Sequence, residues 1–163
     1  MNALIKPMST MEKSTLICET NPRSKKEARF VDHGHSAWLY LTNSDSQVVV
    51  ADCWIYNRIP APKESEIAQY KTSSPPAVAS YAHAHAEFTP LQSDNFELKW
   101  SPDGRSVALL INGIPFGFIP PGVQRGYSKH LTKTGPWGHK WDEKLYLILF
   151  NETGWTESIP SFF

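Results

Sequence analysis

FELKWSPDGRSVALLINGIPFGFI, residues 96–119, decides the fold class. Phe96, Leu98 and Trp100 alternate with Glu97 and Lys99, the two-residue period of a strand with one buried and one wet face. Ser101-Pro102-Asp103-Gly104 is a proline-led turn, and Val107 to Ile111 is apolar on both faces. Asn112-Gly113 is a hairpin signal, because both central residues of a type I′ turn need φ above zero. Ile114 to Ile119 returns, with Pro115 expected on the side of its strand that faces away from a partner. Three antiparallel strands are expected, and Asp103 and Asn112 are read as turn residues.

Outward from this meander the pattern stays β. Ser14 to Glu19 is a short β-branched and apolar run, followed by a polar loop over Thr20 to Glu27. Ala28–Val31 and Ala37–Thr42 flank Asp32-His33-Gly34-His35, a hairpin in which Gly34 supplies positive φ. In the second arm Trp38 and Tyr40 share one face, while Ala37, Leu39 and Leu41 share the other. Gln47 to Tyr56 is apolar on both faces, as in a central strand, and Asn57 closes it. Residues 58–92 contain Pro60, Pro62, Pro75, Pro76 and Pro90 and read as a long loop, with one helical turn over Glu64 to Tyr70. Val123 to His139 reads as loop or short irregular strand, and Trp141 to Phe150 as a helix whose apolar stripe is Trp141, Leu145, Ile148 and Leu149. Asp142 and Glu143 suit the positive end of that helix. The fold class is mainly β with some α: an antiparallel meander, rolled sheet or sandwich with one or two short helices, one of them C-terminal.

At 163 residues the chain is long enough to bury about two thirds of its unfolded surface without disulfide or metal help. A single globular domain over 14–163 is expected, carrying a Pro-rich expansion at 58–92, with 1–13 a flexible tail in which Met8 and Met11 are alternative starts. Sixteen basic and sixteen acidic residues cancel, which leaves no electrostatic footprint for nucleic acid or anionic lipid. There is no apolar run of membrane-spanning length and no signal-peptide core, so a cytoplasmic protein is expected. Cys18 and Cys53 are too few for a disulfide scaffold and are expected to be reduced, half-buried thiols.

His83, His85 and Glu87 in AHAHAEF would share one face of an extended strand, and two histidines with a carboxylate can hold zinc or iron. Asp32 or His35 could join them in a metal-dependent enzyme. A solvated loop is the simpler reading, because no general base or supporting hydrogen-bond partner recurs by pattern nearby. Asp32, His33 and His35 could also be drawn into a cluster with Asp52 and Cys53, although turn chemistry explains the first three. There is no glycine-flanked serine elbow, and Gly113, Gly117, Gly122 and Gly126 are turn glycines, not a phosphate loop. No catalytic residue and no cofactor is expected. Trp137, Trp141, Trp155 and Tyr127 cluster with Arg125, Lys129, Lys133 and Lys140 near the C-terminus, and Trp, Tyr and Arg dominate protein–protein hot spots.

WSPDGRSVALLINGIPFGFI (100–119), RGYSK (125–129) and WDEKLYLILF (141–150), with RFVDHGHSAWLYL (29–41) and ADCWIYN (51–57) upstream in order, resemble the bacterial domain-of-unknown-function family 2251. The resemblance runs from Ser14 to Phe150, and the prolines and alanines between Arg58 and Phe88 look like an expansion relative to it. It implies no activity. Small bacterial proteins of this kind often serve as immunity proteins, so it implies a non-enzymatic binding protein whose partner is a cognate toxin. Lys63, Glu64, Glu66 and Tyr70 on the expansion, with Arg125, Tyr127 and Trp137, are the candidate contacts. The rivals are the metal-dependent enzyme and a structural or regulatory module.

Overall fold

The computed structural model describes residues 14–151; the expected tail at 1–13 and Trp155 lie outside them. One sheet is antiparallel in chain order: β1 (Ser14–Thr20), β2 (Lys26–Asp32), β3 (Ser36–Asn43) and β4 (Val49–Asn57). The second holds β5 (Phe96–Trp100), β6 (Val107–Ile111), β7 (Ile114–Ile119), β8 (Tyr127–Ser128) and β9 (His139–Lys140), with only the β8–β9 pair parallel. An α-helix, α1 (Glu143–Phe150), follows. No helix among the described residues is long and apolar enough to cross a membrane.

The expected meander is present. Asn112 and Gly113 take φ of 53° and 80°, and Gly104 takes 74°. The register pairs Phe96 with Ile111, Leu98 with Leu109 and Trp100 with Val107. Pro115 lies at a register shift, beyond the two residues of β7, Gly117 and Phe118, that pair with β8. Its missing N–H therefore costs no ladder bond to that strand.

Each sheet buries both faces. Between the sheets lie Phe30, Leu39, Cys53 and Ile55 from one side and Leu98, Val107, Leu109 and Ile119 from the other. The outer face of the second sheet, Ala108, Leu110 and Phe118, is covered by Tyr146 and Phe150 of α1. Asp142 caps that helix by accepting the Leu145 N–H at 3.0 Å. The apolar stripe is rotated from the one expected: Trp141, Leu145 and Leu149 do pack, partly buried, against this face, but Tyr146 and Phe150 form its buried centre and Ile148 is 43 % exposed. Aromatic packing decides the rotation, because Tyr146 and Phe150 stack on each other and both contact the Phe118 ring.

The outer face of the first sheet presents Trp38 and Trp54, directly opposite each other on β3 and β4. The Pro-rich segment covers them with Ala77, Val78, Ala82 and Ala86. It includes a 3₁₀ turn over Glu64–Gln69, close to the helical turn expected there. AHAHAEF lies in this loop, as expected, and the extended strand that the metal reading needed does not form. Tyr81 and Ala82 both donate to the Val78 carbonyl and Ala86 donates to that of His83, so the backbone is satisfied by turns. Small alanines let those turns lie close against the tryptophans. Both thiols are free, as expected, but neither is half-buried: Cys18 is exposed and Cys53 is fully buried.

Asn57 fastens the segment to the sheet. Its Oδ1 accepts from Trp54 Nε1 at 3.0 Å and from the Ala77 N–H at 2.9 Å, while its Nδ2 donates to the Ala77 carbonyl at 2.9 Å. All three bonds are buried, so removing the amide strands two donors and an acceptor away from water. Asn57→Ala should lower unfolding free energy by roughly 3 kcal/mol, at the upper end of the cost of leaving buried groups unpaired, read as a shifted urea midpoint. A change under about 0.5 kcal/mol, ordinary for a surface site, would mean the clamp is not stabilising.

Candidate functional site

A cleft of about 600 Å³ opens at the end of the sandwich where the β1–β2 and β5–β6 turns meet. Its rim carries Arg23, Lys26 and Arg105, with one carboxylate, Asp103; Leu41, Val50 and Val123 line it with apolar surface. The turns that form it are locked together. Arg23 donates to the Pro102 carbonyl at 2.9 Å, and a Cβ at Gly104 would fall 2.5 Å from the Asn21 side-chain oxygen. Lys26 Nζ donates to Asn43 Oδ1 at 2.7 Å. Asp103 accepts from the Ser101 hydroxyl and the Arg105 N–H, and these bonds hold its carboxyl below the usual aspartate range. No sequence signal pointed here, because the lining comes from turns and strand ends spread along the chain.

A second hollow of about 330 Å³ lies on the outer face of the first sheet, lined by His33, Tyr40 and Ser74 among others. His33 Nε2 lies 2.7 Å from the Tyr40 hydroxyl, which in turn hydrogen-bonds Ser74 Oγ. Burial pushes the Tyr40 phenol up to about 12, so it stays protonated at neutral pH and supplies no base to activate the serine. The other members of the drawn cluster have separate partners. Asp32 pairs with Arg58 and accepts from the Gly34 N–H; His35 Nδ1 lies 3.2 Å from Ser36 Oγ; Asp52 faces Arg125 at 3.7 Å; and Cys53 sits in the core.

His83 and His85 are adjacent in a turn with ring centroids 5.1 Å apart, and His83 Nδ1 is occupied by the His85 N–H. Glu87 is exposed, and its backbone bridges to Asn57 instead of continuing a strand. Among the described residues no three His, Cys, Asp or Glu side chains are grouped to hold a metal ion. The fold does add His130, distant in sequence, whose ring lies 6.3 Å from His83 and 5.0 Å from Phe116. Burial first, then His83, Lys129 and His85, drives its pKa down to about 4.

Most of the candidate contact residues are engaged within the fold. Glu66 accepts the Lys63 N–H, Glu64 accepts the Ser80 hydroxyl, and Tyr70 sits edge-on to His35. Arg125 pairs with Asp52 and donates to the Pro136 carbonyl. Tyr127 lies between the Phe118 and His139 rings, and Trp137 is buried with its Nε1 donating to the Pro75 carbonyl. Lys63 and Glu64 are exposed. No family model, curated protein or solved structure matches the chain.

His130 makes stability pH-dependent with a definite sign. Its pKa falls from an ordinary 6.5 to about 4 in the fold, so between those values the unfolded chain binds a proton that the folded chain refuses. Its contribution is complete above pH 6.5 and declines as pH drops toward 4. His35, lowered mainly by burial, adds to the same slope, whereas Asp103 and Glu27 act at lower pH. Urea midpoints across that range should fall with acidification, and His130→Phe should flatten part of the fall; an unchanged slope would remove His130 from the account.

Proposed function

We propose that the chain is a non-enzymatic cytoplasmic binding protein that neutralises a cognate protein toxin by occluding the toxin's active or target-binding surface. The observation that carries this reading is β1. Among the described residues it is an edge strand paired only with β2, six of its seven residues are exposed, and Leu16 is 39 % exposed. An edge of this kind presents backbone donors and acceptors to a strand of another protein, with side chains on both faces to set specificity. The resemblance to family 2251 supports the toxin as partner. A tight complex would bury on the order of 1,600 Å² in total, more than one strand supplies, so neighbouring loops must share the interface.

The Pro-rich segment acts in this reading as a brace. Its buried alanines and the Asn57 bonds fix it over the sheet, which leaves exposed residues such as Lys63 and Glu64 as rim contacts at most. Rim charges alter association rate and salt dependence more than affinity.

Co-expression with the adjacent reading frame tests the proposal. That frame should be toxic alone, harmless with this chain, and recovered in a complex with it. Leu16→Lys, at an exposed site where stability changes are usually below about 0.5 kcal/mol, should weaken the complex tenfold or more while leaving the thermal midpoint unchanged. A neighbouring product that is harmless on its own and forms no complex would rule out immunity. Intact binding by the Leu16 variant would move the interface away from β1.

A further inference from the structure

We propose that the cleft at the turn end of the sandwich binds a small organic phosphate, its phosphate held by Arg23, Lys26 and Arg105 and its apolar part laid on Leu41, Val50 and Val123. This site does not rest on the toxin-binding reading.

Charge carries the argument first. The chain is neutral overall, with sixteen cations and sixteen anions, yet the cleft gathers three cations against Asp103 alone. The ion pairs among the described residues are Arg29–Glu27, Arg58–Asp32 and Arg125–Asp52, so none of the three lining cations has a carboxylate within 4.0 Å there. Asp103, kept ionised by its bonds from the Ser101 hydroxyl and the Arg105 N–H, offsets one of the three charges and leaves a net positive surplus. A phosphate dianion matches such a surplus better than a carboxylate does, and guanidinium forks suit its oxygens.

Positioning comes next. The Arg23 bond to Pro102 and the Lys26 bond to Asn43 fix both side chains while using one donor each, out of the five of a guanidinium and the three of an ammonium. The Arg105 guanidinium makes no hydrogen bond to a described residue and feels Asp103 only through space. Held donors with spare capacity lower the ordering cost of binding. The volume, about 600 Å³, lies within the range of small-molecule sites, and the apolar lining gives an organic group somewhere to bury.

Calorimetric titration of the full chain with naphthyl phosphate tests the proposal. Inorganic phosphate serves as competitor, and naphthoate carries the same apolar body on a carboxylate. Naphthyl phosphate should bind once per chain with a dissociation constant below about 1 mM, be displaced by phosphate, and bind at least tenfold tighter than naphthoate. Arg105→Gln and, independently, Lys26→Met should each weaken it about tenfold, the loss of one charged hydrogen bond. Lys144→Gln, which removes an equal charge from an exposed position on α1, should change it less than twofold. The thermal midpoint of each variant reports whether it is folded. Absence of binding, equal binding of naphthoate, or equal weakening by the Lys144 variant would each overturn the proposal.

Discussion

The side-chain amide of Asn57 is the constraint on which the layered architecture depends. It ends β4, the strand whose Trp54 faces outward, and it binds both the Trp54 indole and the Ala77 peptide group. Two neighbouring tryptophans on an outer sheet face are a large apolar surface that water would otherwise meet. A helix crossing could cover them, as α1 covers the opposite sheet. Here a proline-containing segment does so, and prolines cannot supply the internal hydrogen bonds of a helix. The backbone therefore needs outside partners, and Asn57 provides two of them in one side chain.

The same physics explains why the first sheet can leave β1 so exposed. Its interior and outer tryptophan face are closed mainly by other elements, so β1 adds pairing to β2 and, of its seven residues, packs Ile17 against the core. An edge that contributes little burial puts few packing constraints on its exposed side chains. The basic cleft has a related origin. Turns from both sheets meet at one end, and the Arg23–Pro102 bond joins them, so residues far apart in sequence share a rim.

Strand content and turn positions were legible because they are local. Asn112-Gly113 requires a backbone conformation that little else adopts, and Phe96 to Trp100 alternates as a one-sided strand must. Helix α1 was legible through Asp142 and its apolar residues, but its rotation was not, because Tyr146 and Phe150 are selected by the Phe118 ring on another element. AHAHAEF was legible as a loop, but its part in the cover was not, because Ala82 and Ala86 show their use only against the tryptophans of another element. The cleft cations and His130 had no local signature at all, since what distinguishes them is the missing counter-ions and the burial that only the folded chain defines. Trp137 carried a hot-spot composition and is instead part of the cover over the first sheet.

Amide hydrogen exchange at Ala77 tests the central claim that residues 58–92 form a fixed layer clamped by Asn57. The Ala77 N–H, bonded to Asn57 Oδ1 at 2.9 Å and buried, should exchange about as slowly as core amides of β3 such as Leu39. Exchange as fast as that of Gly113 at the exposed hairpin tip would contradict the account, because the segment would then open independently of the sheet it covers.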